Sequence, residues 1–184
     1  MFLLTPGVEA SKAGTLISAL IAFKKLHDDN ARLEEAIPEF YRRRAARYAN
    51  VRLRDLCADM HRFFREADVS ALQAKQFSPE HLPEIALSPQ EAARRLVRND
   101  VDYLPIERIA GRIATTPFVV YPPGIATIVP GERLTEHAQP MIDYLKVFEA
   151  SFNTFPGFEV EIQGVYRETD ASGRVRLHTY VVAE

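Results

Sequence analysis

Tyr121-Pro-Pro-Gly-Ile-Ala-Thr-Ile-Val-Pro-Gly-Glu132 is the stretch on which the reading of this chain turns. It holds three of the twelve prolines and two of the eight glycines, yet it is not a low-complexity linker. Its centre, Ile125 to Val129, is apolar and rich in β-branched residues, which predicts a short buried strand. Proline fixes φ and glycine admits positive φ. Pro122-Pro123-Gly124 before that strand and Pro130-Gly131 after it therefore predict two stiff, sharply defined turns. Arg112 and Glu132 sit near either end, within reach of each other. Two readings stay open for them: an ion pair bracing the corner, or one side chain facing a substrate channel. Tyr121 reads as a core residue with its hydroxyl satisfied, against the alternative of a place at the rim.

Around this stretch the chain is mixed helix and strand. Ser88-Pro-Gln-Glu91 is a capping box with proline at the first helical position, predicting a helix from Pro89 to about Arg98. Val101 to Leu104 is extended, Pro105 opens one helical turn, and Gly111 is its natural C-cap. Phe118 to Tyr121 is a strand leading into the corner. Thr135 is the expected N-cap of a helix reaching about Phe152, with Met141, Tyr144, Leu145 and Phe148 as its apolar stripe. Val160 and Ile162 alternate with Glu159, Glu161 and Gln163, as in a half-exposed strand. Asp170-Ala-Ser-Gly173 is a hairpin loop, with Val175, Leu177, Thr179 and Val181 on the partner strand.

Upstream the pattern is nearly all helical. Ala13 to His27 carries Leu16, Ile17, Leu20, Phe23 and Leu26 on one broad face. A helix interrupted near Pro38 covers Ala31 to Tyr48, Val51 to Glu66 has the clearest periodicity, and a short helix spans Ser70 to Phe77. Ser78-Pro-Glu-His-Leu-Pro83 is the expected boundary. The fold class is therefore α+β: a helical N-terminal part (1–78) with one edge strand, then a mixed α+β domain (84–184) ending in a β-hairpin. The edge strand is Met1-Phe-Leu-Leu-Thr5. A buried strand at residue 2 needs neighbours on both sides, which predicts a piece of something longer.

Composition narrows the function classes. A net charge of −2, from 23 basic and 25 acidic residues, gives no general pull toward nucleic acid or an anionic membrane. Arg42-Arg-Arg44 with Arg47 is the most basic run. It reads as a solvated helix face offset by Glu34, Glu35 and Glu39, the alternative being a binding module for phosphate or nucleic acid. The longest apolar run, Leu16 to Phe23, stops at Lys24-Lys25 and is too short to span a bilayer. No leader pattern precedes it, so the cytoplasm is the expected compartment. Cys57 reads as a small buried residue rather than a reactive thiol, and His61 as a helix-surface histidine. The histidines lack metal-ligand spacing, the glycines lie singly at turns, and no serine sits in a nucleophile elbow. No catalytic, cofactor-binding or metal-binding residue is expected within these 184 residues.

Gly111-Arg-Ile-Ala114, Tyr121-Pro-Pro-Gly-Ile125, Pro130-Gly-Glu132 and Pro156-Gly-Phe158 together resemble the C-terminal region of the bacterial ornithine/lysine/arginine decarboxylases. Leu53-Arg-Asp-Leu-Cys-Ala-Asp-Met-His61 and, in the tail, Gly164-Val-Tyr-Arg-Glu-Thr-Asp170 with Arg176-Leu177 and Tyr180-Val181 look most like the ornithine enzymes. One departure is Ile125-Ala-Thr127, where many relatives follow the glycine with Val or Ile and then Pro. The resemblance implies a pyridoxal-phosphate enzyme of the aspartate-aminotransferase fold type, whose substrate is a basic amino acid and whose products are CO2 and a diamine. It implies a role for this piece in structure, oligomer formation and access to the active site. Its partners would be an upstream catalytic domain of the same polypeptide and further copies in a homo-oligomer. A nucleotide effector binds between subunits in some members. The cofactor needs a lysine for its Schiff base. Lys12, Lys24, Lys25, Lys75 and Lys146 all lie on expected helices or their edges, and none has the Ser-x-His-Lys context of the family. The resemblance thus places the cofactor lysine upstream. Arg112, Tyr121, Pro122, Pro123, Gly124, Pro130, Gly131 and Glu132 remain as structural or channel-facing family-motif residues.

Overall fold

The computed structural model describes residues 9–121 and 124–184. The expected edge strand at Met1–Thr5 and the ring pair Pro122-Pro123 lie outside the described residues. The chain divides into two compact units between Arg62 and Phe63.

The first unit is helical. Helix α1 (Ala10–Asp28) is followed by α2 (Leu33–Ala36), α3 (Pro38–Tyr48) and α4 (Leu53–Glu66), the last crossing the division between units. Its core rests on a short motif that occurs twice, Asn30-Ala-Arg-Leu33 and Asn50-Val-Arg-Leu53. Each asparagine follows a helix in the left-handed region, at φ 48° and 63°, a conformation asparagine tolerates better than most residues. The two copies then pair antiparallel through Arg32 and Arg52, with Leu33 N–H donating to Val51 O and Leu53 N–H to Ala31 O. Leu33 and Leu53 are thereby driven inward, joined by Tyr48 and Leu56. In α3, Arg44 leaves helical geometry (φ −140°), so that helix is broken once more than Pro38 alone requires.

Helix α1 departs from its reading. No residue of it is buried, and Ile17, Leu20, Ile21 and Phe23 are 48–64% exposed. Its apolar face is present but uncovered within the described chain.

The second unit wraps three small sheets around one helix. In order come α5 (Val69–Lys75), β1 (Glu84–Ile85), α6 (Pro89–Val97), β2 (Val101–Pro105), β3 (Phe118–Tyr121), β4 (Ile125–Ile128), β5 (Glu132–Arg133), α7 (Gln139–Thr154), β6 (Glu161–Gln163), β7 (Tyr166–Thr169) and β8 (Val175–Val182). The sheets are β1-β5, β2-β8-β7 and β4-β3-β6, all antiparallel. Helix α7 is the spine. Its Met141, Ile142, Leu145, Phe148 and Phe152 pack with Phe118 and Ile128 from one sheet and Leu177 and Val181 from another. The Ser88 hydroxyl accepts from Glu91 N–H and Pro89 opens α6, as the capping box requires.

Two expectations need correcting here. Thr135 does not cap α7. It precedes a 3₁₀ turn at Glu136–Ala138, its Oγ1 has no partner among the described residues, and α7 starts at Gln139. The residues from Val160 to Gln163 are not the partner of β8. Glu161–Gln163 form β6 and pair with β3, while β7 makes the hairpin with β8. The break lies at Gly164 (φ +78°), where an added Cβ would stand 2.0 Å from Pro117 O. Only glycine lets the chain cross from one sheet to the other there. The stretch Ser78–Pro83 lies within the second unit. Two histidines hold it: His81 Nδ1–H donates to His137 O (3.2 Å), and His137 Nδ1–H to Glu80 O (3.1 Å).

Candidate functional site: the proline–glycine corner

The corner is a β3–β4 hairpin set against two glycine pivots. The register pairs Val120 with Ile125 and Val119 with Ala126, then slips so that Phe118 faces Ile128. Thr127 occupies the slip, and its hydroxyl donates to Phe118 O at 3.2 Å. Gly124 has φ +84°, and a Cβ there would lie 2.7 Å from the Tyr121 ring. The ring thus lies across the glycine. Tyr121 itself is 55% exposed, so the core reading of it is corrected: this ring lies over Gly124 from outside.

The strand after the turn is also less buried than its composition suggests. Ile125 and Val129 are exposed and only Ile128 is fully buried. Strand β4 is the edge of its sheet, so one face packs and the other meets solvent.

Gly131 is the second pivot. Its N–H donates to Ala114 O at 2.8 Å, and its carbonyl accepts from Ala86 and Leu87 N–H at 3.0 and 2.9 Å. With φ +94° and Leu87 O only 2.3 Å from where a Cβ would be, the position admits glycine alone. Glu132 closes this turn, its Oε2 accepting from Val129 N–H at 2.8 Å. Burial holds the Glu132 carboxyl above its ordinary range, partly offset by that Val129 N–H.

Arg112 and Glu132 do not form the expected ion pair. Their backbones are neighbours on one ladder, with Leu134 N–H donating to Arg112 O and Ala114 N–H to Glu132 O. The Arg112 guanidinium turns instead to Asp102 on β2, donates to Val182 O at 2.8 Å, and lies 3.3 Å from Glu184. Asp102 sits on a strand that pairs directly with β8, so a carboxylate and a carbonyl converge on one guanidinium fork. Arg112 is 14% exposed at its side chain and ties β2 to the end of β8.

Other anchors escaped the sequence reading. Glu149 is buried in α7, where its Oε2 accepts from Leu177 N–H at 2.6 Å and its Oε1 lies 3.3 Å from Arg176. A glutamate among apolar helix positions is the one signal that marked it. Gln76 is 1% exposed at the end of α5. Cys57 is half-buried, with its thiol pushed up by burial, and His61 is exposed on α4.

The lysines do not suit a Schiff base. Lys24 and Lys25 pair with Asp28 and Asp29 along α1 and Lys146 with Asp143 along α7, while Lys12 and Lys75 are exposed on helices. A Schiff-base lysine needs a desolvated or cationic neighbourhood that holds its amine neutral, and exposed helix faces do not supply one. The residues present do not fit pyridoxal phosphate. Among the described residues no group of three His, Cys, Asp or Glu could hold a metal ion, and no helix is long and apolar enough to cross a membrane.

The second unit is thus an α+β unit with a braced corner. Residues 70–183 match the family model "Orn/Lys/Arg decarboxylase, C-terminal domain". The chain is 36% identical over 184 residues to an ornithine decarboxylase of Haemophilus influenzae, covering 100% of this chain and 25% of that protein. It is 37% identical over 174 residues to lysine decarboxylase LdcA of Pseudomonas aeruginosa, covering 95% and 23%. The solved structure of lysine decarboxylase A from Pseudomonas aeruginosa superposes with a TM-score of 0.87 at 36% identity, over 98% of this chain and 24% of that one. The chain belongs to the Orn/Lys/Arg decarboxylase family. It spans about a quarter of the length of the relatives it matches.

Proposed function

We propose that this chain is the C-terminal part of a pyridoxal-phosphate-dependent decarboxylase of basic amino acids, with ornithine as substrate and putrescine and CO2 as products. Residues 84–184 make the C-terminal domain, and the helices before them complete the domain that precedes it. Its work is structural. It steadies the approach to an active site carried by the rest of the polypeptide and supplies surface for homo-oligomer formation. The cofactor lysine belongs to that other part.

One observation carries this reading: a family-wide match across the second unit coexists with lysines that are all solvated on helix faces. The segments from Leu53 to His61 and from Gly164 to Val181 favour ornithine, although lysine enzymes are similar to the same degree.

The test has two arms. The 184-residue chain, purified and supplied with pyridoxal phosphate, is expected to release no CO2 from ornithine, lysine or arginine and to develop no aldimine absorbance. The longer polypeptide, assayed on the same panel, is expected to prefer ornithine. Turnover by the short chain would refute the accessory role; a lysine preference in the long one would refute the substrate.

A further inference from the structure

Where the chain crosses between sheets at Gly164, a cleft opens between the residues of β6 and those of β7. It measures about 290 Å³, at the small end of the roughly 300–1,000 Å³ usual for ligand sites. Phe152 from α7, Val160 and Ile162 before the crossing and Val165 after it give it an apolar lining. Glu159 and Arg167 add opposite charges.

Arg167 lies on the side of its sheet where a charge is least expected. In β7 it pairs with Leu177 of β8, and cross-strand partners share a face. Leu177 is in the core at 1% exposed, whereas the neighbours Tyr166 and Glu168 meet Tyr180 and the Tyr103 hydroxyl on the opposite face. Arg167 therefore points to the core side, its guanidinium 5.9 Å from the centre of the Phe152 ring. It keeps a 54% exposed side chain because β7 is the edge strand. Its Nη1 lies 3.9 Å from Glu159 Oε2, too far for a hydrogen bond. Among the described residues, the five donors of this guanidinium are thus uncommitted. Glu159 is better fixed. Gly157 N–H donates to its Oε1 at 2.7 Å and its side chain is 18% exposed, which leaves Oε2 as the available acceptor.

A loosely matched guanidinium and carboxylate beside an apolar surface select for a ligand that carries both charges itself. An anion alone would satisfy Arg167 but crowd Glu159, and a cation alone would do the reverse. Glu161 also lines the cleft, but it is exposed to solvent, where its charge is screened. We propose that this cleft binds a small α-amino acid as its zwitterion. The carboxylate takes the Arg167 fork, the ammonium donates to Glu159 Oε2, and an aliphatic side chain lies against Phe152, Val160 and Val165. A ligand so held joins β6 to β7 and steadies the passage between the two sheets. The proposal is independent of the decarboxylase reading.

NMR titration of the isotope-labelled chain with L-norvaline, butyrate and n-butylammonium tests it. Norvaline is expected to give saturable shifts at the Arg167 Nε–H and at the methyls of Val160, Ile162 and Val165. Butyrate and butylammonium each lack one of the two charged groups and are expected to bind roughly tenfold more weakly, the worth of one charge-assisted hydrogen bond. Arg167→Gln, at an exposed side chain, and Glu159→Gln, which still accepts from Gly157, are each expected to weaken norvaline by a similar factor. Arg174→Gln, an exposed arginine outside the cleft, is expected to leave it unchanged. Butyrate or butylammonium binding as well as norvaline would overturn the proposal, as would an Arg167→Gln chain that binds norvaline like the native one. Shifts that do not saturate overturn it too, and leave Arg167 as a charge that guards an edge strand against pairing.

Discussion

Glu149 shows how much one side chain can hold in this fold. A carboxylate within the buried face of a helix costs desolvation, and here the Leu177 N–H and the Arg176 guanidinium offset that cost. Glu149→Leu keeps the volume but strands the Leu177 N–H, and is expected to destabilise by about 1.5–3 kcal/mol. Glu149→Gln still accepts from Leu177 and is expected to cost less than about 1 kcal/mol. Urea denaturation of the two variants checks the ordering; equal losses would mean that Arg176, not the backbone, is the important partner. Glu132 gives the opposite pH signature from an ion-paired carboxylate. Burial raises its folded pKa above the unfolded value, so its favourable contribution exists below the unfolded pKa and is lost as pH rises through the folded one. Glu132→Gln can still accept from Val129. It is expected to gain midpoint stability over the native chain as pH is raised from the ordinary glutamate range, about 4, toward neutrality. A difference that stays flat over that window would show that the carboxyl is not desolvated. The sequence marked Arg112 and Glu132 as important residues but not their partners. Partner choice depended on Asp102, ten positions before Arg112 and brought close only because β2 pairs with β8.

Among elements, the helices were largely legible because each has its own punctuation. Ser88 and Pro89 start α6 through local chemistry, and Pro38 parts α2 from α3. Strand pairing was not legible, because alternation shows that a strand exists but not which neighbour it takes. That is why β6 was assigned to the hairpin and β4 was read as buried. Gly164 held the missing information as a steric demand, visible only once Pro117 lay against it. Two glycines with nearly equal φ separate steric demand from backbone strain. Gly173, at φ +82° with nothing within 4 Å of a Cβ, is expected to lose about 1–2 kcal/mol on change to alanine, the cost of the left-handed backbone. Gly164→Ala meets the same strain and a carbonyl at 2.0 Å besides, so its loss is expected to be clearly larger. Thermal melts of the two variants measure the gap. If they match, the passage between sheets is soft and Gly164 is an ordinary turn glycine. The paired Asn-x-Arg-Leu motif belongs to the same scale. It stood in the sequence as a repeat twenty positions apart, but its meaning depended on the two copies meeting antiparallel.

For the whole molecule the telling feature is α1, where Ile17, Leu20, Ile21 and Phe23 form an apolar face that nothing in the described chain covers. Scattered exposed aliphatics need no explanation, but four within seven positions of one helix form a patch of the kind that marks an interface. The relatives are about four times the length of this chain, so most of the polypeptide proposed above lies elsewhere. If that remainder covers α1, charge placed on the face is harmless in the short chain and damaging in the long one. Leu20→Glu with Ile21→Glu is expected to change the stability of the 184-residue chain by no more than about 0.5 kcal/mol, as for other exposed sites, and to lower its self-association. In the longer polypeptide proposed above the same pair would bury two carboxylates without partners. The expected result is a loss of several degrees in melting temperature and of the native oligomer, since unpaired buried charge is among the costliest changes a fold can meet. Melting curves and sedimentation of both chains, native and substituted, read this out. A longer chain that tolerates the substitutions as well as the short one would mean that α1 faces solvent in the complete enzyme, and that its attachment to the rest of the protein must be sought on another surface.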